Sequence, residues 1–255
     1  MSLFDLSGKS AIITGSSRGI GKAIAEAMAE QGANVVISSR KPGPCQEVAA
    51  SINEKHGEGT AIAVPANISE KAELQAMVDA TNAAFGKVDI VVCNAASNPY
   101  YGPLEGISDE QFEKILSNNI ISNNWLIQMC APQMRARKDG AIILVSSIGG
   151  LKGSPIIGAY NISKAADFQL ARNLATEYGK DNIRVNCIAP GLIRTDFARA
   201  LWENPDNLKR ALATTPMARI GEPVEIAGAA VYLASKAGAY MTGQMMVVDG
   251  GTTIS

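Results

Sequence analysis

The sequence predicts an α/β protein: a doubly wound parallel sheet of about seven strands with helices on both faces. Two observations carry this. Short Ile/Val-rich runs alternate with longer segments of helical periodicity. The short runs are apolar almost throughout rather than at every second residue, as in strands covered on both sides. No Pro/Gly/Ser-rich linker, charge block or low-complexity tract divides the 255 residues, so residues 1–255 read as one domain.

The first strand is expected at 10–14 (SAIIT). Ile20, Ala23, Ile24, Ala27 and Met28 then share one helical face over 20–30. A second strand follows at 34–38 (NVVIS), a helix at 45–55 and a third strand at 60–64. Ser69 opens a helix with an apolar stripe through Leu74, Met77 and Val78. A fourth strand lies at 88–93 (VDIVVC). Residues 109–134 are mostly helical, with a break expected near Pro132. A fifth strand at 141–145, a long helix at 159–178 and a sixth strand at 183–188 come next. Pro223 suits the first turn of a helix over 223–235, where its missing N–H costs least, and 245–248 (MMVV) is the last strand.

Composition closes off several functions. The chain is 47% hydrophobic and 18% charged, which excludes a disordered chain. With 23 basic and 24 acidic residues it has no electrostatic case for nucleic acid or an anionic membrane as partner. No apolar run approaches the roughly 18 residues of a membrane span. Residues 1–9 lack the layout of a signal peptide. Cys45, Cys93, Cys130 and Cys187 show no CxxC spacing and read as reduced thiols of a cytoplasmic protein. His56 is the only histidine and sits in a polar helix end. No metal site is expected, and a Ser-His-Asp triad is disfavoured.

Ligands of such sheets bind beyond the carboxyl ends of the strands. After the first strand comes Thr14-Gly15-Ser16-Ser17-Arg18-Gly19-Ile20-Gly21. Glycines there permit a tight turn and close approach of a pyrophosphate, and the following helix offers free N–H groups. The spacing G-x3-G-x-G differs from the common dinucleotide fingerprint, and no Gly-Lys-Ser/Thr of a P-loop is present. The second strand ends Ser38-Ser39-Arg40-Lys41, without the acid that would bind a free ribose 2′-hydroxyl. Arg40 and Arg18 suit a 2′-phosphate, so NADP is expected, with NAD as the alternative.

Tyr160 and Lys164 are four apart on one helical face. A neighbouring ammonium lowers the pKa of a phenol and equips it to exchange a proton with a carbonyl oxygen. Ser147, beyond the fifth strand, could face the same pocket.

These motifs resemble, over nearly the whole chain, the short-chain dehydrogenase/reductase family. The match comprises Thr14 to Gly21, Cys93-Asn94-Ala95-Ala96, Asn119, Ser147, Tyr160-x3-Lys164, Pro190-Gly191 and Asp249-Gly250-Gly251. The resemblance implies a Rossmann-type domain and a catalytic set of Asn119, Ser147, Tyr160 and Lys164. Tyr160 would exchange the proton, and Lys164 would lower its pKa and bind the nicotinamide ribose. Ser147 would bond the substrate oxygen, and Asn119 would hold a water linking Lys164 to solvent. The cofactor would also meet Gly15, Ser17, Arg18, Gly19, Ile20 and Gly21. Beyond the second to fourth strands it would meet Ser39, Arg40, Asn67, Ile68, Asn94 and Ala95. Pro190, Gly191, Ile193 and Thr195 would lie along the nicotinamide end.

Two positions depart from the family pattern. Cys93 stands where an Asn is usual, and Asn67 where an Asp is frequent. Residues 94–102 and 182–195 resemble the NADP-dependent carbonyl and retinal reductase branch, although Thr253-Ile254-Ser255 is not the peroxisomal tripeptide common there. The reaction implied is hydride transfer between NADP(H) and a carbonyl or secondary alcohol. A 3-oxoacyl thioester reductase shares every motif. A non-catalytic NADP-binding regulator is disfavoured because Tyr160 and Lys164 are both present. The variable segment 192–217, with Phe197, Leu201 and Trp202, and the pair Tyr100-Tyr101 suggest an apolar ketone or aldehyde. The apolar width of 165–178 exceeds one sheet contact, and the resemblance implies a homotetramer built partly through this helix.

Overall fold

The computed structural model describes residues 2–255. Seven strands form one sheet: β1 (Ser10–Thr14), β2 (Asn34–Ser38), β3 (Ala61–Ala63), β4 (Ile90–Cys93), β5 (Gly140–Val145), β6 (Ile183–Pro190) and β7 (Met245–Val248). Their order is β3-β2-β1-β4-β5-β6-β7, and every pair is parallel. The chain runs outward from β1 to β3, then returns to place β4 on the other side of β1. That reversal opens a crevice beyond the carboxyl ends of β1 and β4.

Successive strand side chains point to opposite faces, so each strand feeds two cores. Ile13, Ile37, Val92 and Ile143 pack with Ile24 and Met28 of α1 (Gly19–Glu30), Ile52 of α2 (Pro42–His56) and Ile226 of α9 (Pro223–Ala234). Ile12, Val36, Val91 and Ile142 pack on the other face. There they meet Leu74 of α3 (Lys71–Phe85), Leu126 of α5 (Ser122–Arg137) and Phe168 of α6 (Gly158–Tyr178). Each fully buried aliphatic side chain contributes roughly 1.5–3 kcal/mol over exposure.

Several elements differ from expectation. The helix spanning Pro132 does not break there. Pro132 and Gln128 both face solvent, so the carbonyl that loses its N–H partner can bond water. The regular ladder instead changes at a π-turn, Ser117–Ile121, between α4 (Asp109–Leu116) and α5. The second helix begins three residues early, at Pro42, because first-turn N–H groups have no intrahelical partner to lose. The third begins after Glu70 rather than at Ser69, whose hydroxyl donates to Asn118 Oδ1 at 2.7 Å. Within the variable segment lie two short helices, α7 (Arg199–Trp202) and α8 (Pro205–Ala213).

The apolar width of α6 is absorbed within the chain only in part: Ala165 is exposed, and Ala166 and Leu170 are half-buried. Phe168, Ala171, Leu174, Ala175 and Tyr178 are all buried, and Ile162 is its one large apolar side chain among the exposed ones. Arg184 on β6 donates to the carbonyls of Leu233, Ala234, Ser235 and Gly238, capping the carboxyl end of α9. All four cysteines are free and buried. Among the described residues no helix is long and apolar enough to cross a membrane.

Candidate active site

The glycine turn after β1 is a cradle that side chains would fill. Gly15 has φ +67°, and a Cβ on Gly21 would lie 2.4 Å from the Gly15 carbonyl oxygen and 2.5 Å from Asn94 Nδ2. Thr14 Oγ1 accepts from the N–H groups of Asn94 and Ala95, each at 3.0 Å. Asn94 Nδ2 returns a bond to Thr14 O at 2.9 Å, so the loop after β4 braces the loop after β1. Ser16 Oγ donates to Ile13 O at 2.7 Å and accepts from Ser38 N at 2.9 Å, which staples the turn to β2. At Arg18 no side chain caps α1. The first N–H groups of α1 thus meet no side-chain acceptor, at the positive end of the helix dipole. These features fit a dinucleotide pyrophosphate.

Beyond β2, Ser39 is partly buried and Arg40 exposed. Arg40 forms no ion pair among the described residues, whereas Arg18 reaches Asp196 at 3.3 Å. Asn67 Oδ1 accepts from Ser69 N at 3.3 Å and keeps a lone pair free, and Ile68 is partly buried beside it. At the other end of the sheet, Pro190 ends β6 and Gly191 lies against Asp249, whose Cα would be 2.7 Å from an added Cβ. Ile193 is buried and bridges Gly221, while Thr195 Cγ2 would lie 3.3 Å from a Cβ added at Gly19 and its carbonyl accepts from Trp202 Nε1 at 3.0 Å. A cleft of about 550 Å³ lies beside the glycine turn, lined by Gly19, Lys22, Arg194, Trp202 and Val224 and not by Tyr160.

The catalytic candidates converge beyond β5. Ser147 is extended, and its Oγ accepts from Gly149 N at 3.0 Å. Tyr160 lies in the first turn of α6, with Lys164 Nζ 5.8 Å from its ring centroid and the Phe197 ring at 6.0 Å. Lys164 is buried and donates to Val145 O at 2.9 Å and Asp167 Oδ2 at 3.1 Å. Burial works against its ammonium, yet Asp167 and Tyr160 hold the amine above its ordinary value. Burial likewise pushes the Tyr160 phenol up, outweighing the pull of Lys164 and of Ser147 beside it. Lys164 therefore offsets part of the burial without bringing the phenol below that of a free tyrosine, contrary to the expectation from sequence.

Asn119 occupies the π-turn and is fully buried. Its Oδ1 accepts from Ser97 N at 2.8 Å, and its Nδ2 donates to Ser163 Oγ at 3.0 Å. Its carbonyl accepts from Asn123 Nδ2 at 2.6 Å, and Asn123 in turn reaches Asp167 at 3.4 Å. Asp167, Asn123 and Ser146 were not singled out from sequence. The signal for Asp167 was its place three residues after Lys164, on the same helical face.

The sequence model described as enoyl-(acyl carrier protein) reductase matches residues 15–253. A Bos taurus protein named dehydrogenase/reductase SDR family member 4 is 40% identical over 248 residues, covering 97% of this chain and 88% of the relative. This chain belongs to the short-chain dehydrogenase/reductase family. Like other short-chain dehydrogenases/reductases it is an oxidoreductase acting between carbonyl and alcohol. Two solved members share its fold. A structure from Beutenbergia cavernae, described as a putative NAD(P)-dependent gluconate 5-dehydrogenase with bound NADP, is 33% identical. Its TM-score is 0.93, with 100% of both chains covered. A 7α-hydroxysteroid dehydrogenase complexed with NADH and 7-oxo glycochenodeoxycholic acid is 37% identical with TM-score 0.93, covering 97% of this chain and 95% of that one.

Proposed function

We propose that the protein is an NADP(H)-dependent reductase of apolar ketones or aldehydes, with Tyr160 as the proton donor. The meeting of Tyr160, Lys164 and Ser147 beyond β5 carries this reading. The bound nicotinamide would supply or accept the hydride. Ser147 Oγ would hold the carbonyl oxygen and polarise it. Tyr160 would donate its proton to that oxygen as the carbon gains the hydride, leaving a phenolate stabilised by the Lys164 ammonium. In the oxidative direction the phenolate would take the proton back from the alcohol. Asn119 would hold a water linking Lys164 to solvent, with its side chain fixed by Ser97 and Ser163.

The pyrophosphate would rest on the turn from Gly15 to Gly21, with Ser17 and Ile20 along it. Arg40 is free to pair with a 2′-phosphate, and Ser39 offers no carboxylate to repel one. A charge-assisted bond contributes roughly 1.5–3 kcal/mol, so NADP should be preferred by about ten- to a hundredfold. Asn67 and Ile68 would border the adenine, Asn94 and Ala95 the near ribose, and Pro190, Gly191, Ile193 and Thr195 the carboxamide. Phe197 beside Tyr160, with exposed Tyr101, Leu104 and Leu151, supports an apolar substrate bordered by segment 192–217. A second reading, reduction of a 3-oxoacyl thioester, shares with the description of the matching family model only the acyl carrier, since an enoyl reductase acts on a carbon–carbon double bond.

Buried reduced thiols suit a cytoplasmic enzyme. Exposed Ile121 and Ile162 suit a contact between copies, which we infer to build a homotetramer. The deciding experiment assays ketones, aldehydes and 3-oxoacyl thioesters with both cofactors in wild type, Arg40→Ala and Ser39→Asp. We expect NADP preference with apolar ketones, eroded in Arg40→Ala mainly through KM and reversed by Ser39→Asp. Preference for NAD, unchanged in Arg40→Ala, would reject the cofactor assignment, and turnover confined to thioesters would select the second reading.

A further inference from the structure

Asp167 is a fully buried carboxylate one turn beyond Lys164, in a helix face that otherwise packs apolar side chains such as Phe168 and Ala171. Its Oδ2 accepts from Lys164 Nζ at 3.1 Å, and its Oδ1 accepts from Asn123 Nδ2 at 3.4 Å. Lys164 also donates to the Val145 carbonyl at the end of β5, at 2.9 Å. An ammonium has three N–H donors, so two are committed to the protein and one remains for the pocket. A buried ion pair adds little net stability over apolar packing. Its consequence falls instead on where the Lys164 charge sits and how much of it Tyr160 feels.

The groups facing this pair come from every element around it. Lys164, Tyr160 and Arg172 share α6 with Asp167, Cys93 ends β4, Cys130 lies on α5, and Cys187 lies on β6. Burial pushes the thiols of Cys93 and Cys187 well up and that of Cys130 up to about 12. None of them carries charge near neutral pH. Burial pushes Asp167 up as well, against the pull of Lys164, Asn123 and Ser146. Asp167 Oδ2 lies 3.1 Å from the Lys164 ammonium and its Oδ1 accepts from Asn123, so the two groups are placed as an ion pair. The Asp167 carboxylate is then the one negative charge among these groups.

We propose that Asp167 is a positioning residue that anchors Lys164 at the end of β5 and offsets part of its charge, so that Tyr160 keeps its proton to higher pH. This biases the site toward giving a proton to a carbonyl rather than taking one from an alcohol. It rests on the reading of Tyr160 as the acid–base group.

The test is an ultraviolet titration of tyrosinate, taking each protein minus its Tyr160→Phe counterpart, so that only Tyr160 is read. In wild type the Tyr160 transition should lie above that of a free tyrosine. In Asp167→Asn and Asp167→Leu it should fall by roughly one pH unit, about tenfold in proton affinity, because a unit charge is removed within a few ångströms of the ammonium. Asp167→Glu restores the charge and should return the transition toward wild type, which a merely structural role would not do. A transition unmoved in Asp167→Asn and Asp167→Leu, or moved upward, overturns the proposal. If neither variant folds, Asp167→Ser, which keeps a polar group there without the charge, is read in their place: a transition below wild type supports the proposal, and one unmoved or raised overturns it. Undiminished turnover by Tyr160→Phe would instead overturn the parent reading, so the two failures are distinguishable.

Discussion

Adding a single methyl group at Gly21 should weaken cofactor binding while leaving the fold standing. The new Cβ would lie 2.4 Å from the Gly15 oxygen, 2.5 Å from Asn94 Nδ2 and 2.9 Å from the Gly15 carbonyl carbon. Neither neighbour can give way cheaply. Gly15 is main chain at φ +67°, and Asn94 Nδ2 is tied to Thr14 O at 2.9 Å and Gly15 O at 3.2 Å. The turn must therefore open by about 1 Å, an overpacking that costs roughly 1–3 kcal/mol. For a chain of this size that lowers Tm by about 2–4 °C per kcal/mol. The same movement spreads the N–H groups at the start of α1, so the cofactor Kd should rise by about tenfold or more, equivalent to about 1.4 kcal/mol. Gly228→Ala is the control: a Cβ there meets nothing within 4 Å, and it lies on the exposed face inside α9. It should be neutral or stabilising by up to about 1 kcal/mol. Fluorescence titration with NADPH and thermal unfolding measure both quantities. Gly21→Ala binding NADPH within about twofold of wild type would refute the cradle.

Two further outcomes test the surrounding structure. All four cysteines are buried, so a thiol reagent should leave the native protein unmodified and label all four on unfolding; partial labelling of folded protein would contradict their burial. Arg184→Met removes a charged donor from the carbonyls of Gly238 at 2.9 Å and Ala234 at 3.1 Å and should cost about 2–3 kcal/mol in denaturant unfolding; an unchanged midpoint would mean water serves those carbonyls as well.

The strands were legible because a sheet covered on both faces demands unbroken apolar runs, and β1, β2 and β7 begin and end where the sequence places them. The glycine turn was legible because positive φ and close backbone approach permit little else at Gly15 and Gly21. Pro132 misled because its effect depends on which side of the helix its missing bond faces, a tertiary property. Helices α7 and α8 were hidden for a related reason: their residues pack a loop and share no long periodicity. At the site, Tyr160, Lys164 and Ser147 were readable from spacing and resemblance. Asp167 was not, since an acid three residues after a lysine usually marks a solvated helix surface. Only the packing of β4, β5, α5 and β6 around it shows that it is buried.

The central claim is that Tyr160 passes the proton while the cofactor is held by other groups. A single-turnover experiment separates these roles by mixing NADPH-loaded enzyme with a ketone that the substrate panel identifies and following nicotinamide absorbance. Tyr160→Phe keeps the ring packed near Phe197 but has no transferable proton, so NADPH should bind within about threefold of wild type while hydride transfer slows by about 10²-fold or more. Hydride transfer in Tyr160→Phe at the wild-type rate, with NADPH bound, would contradict the account.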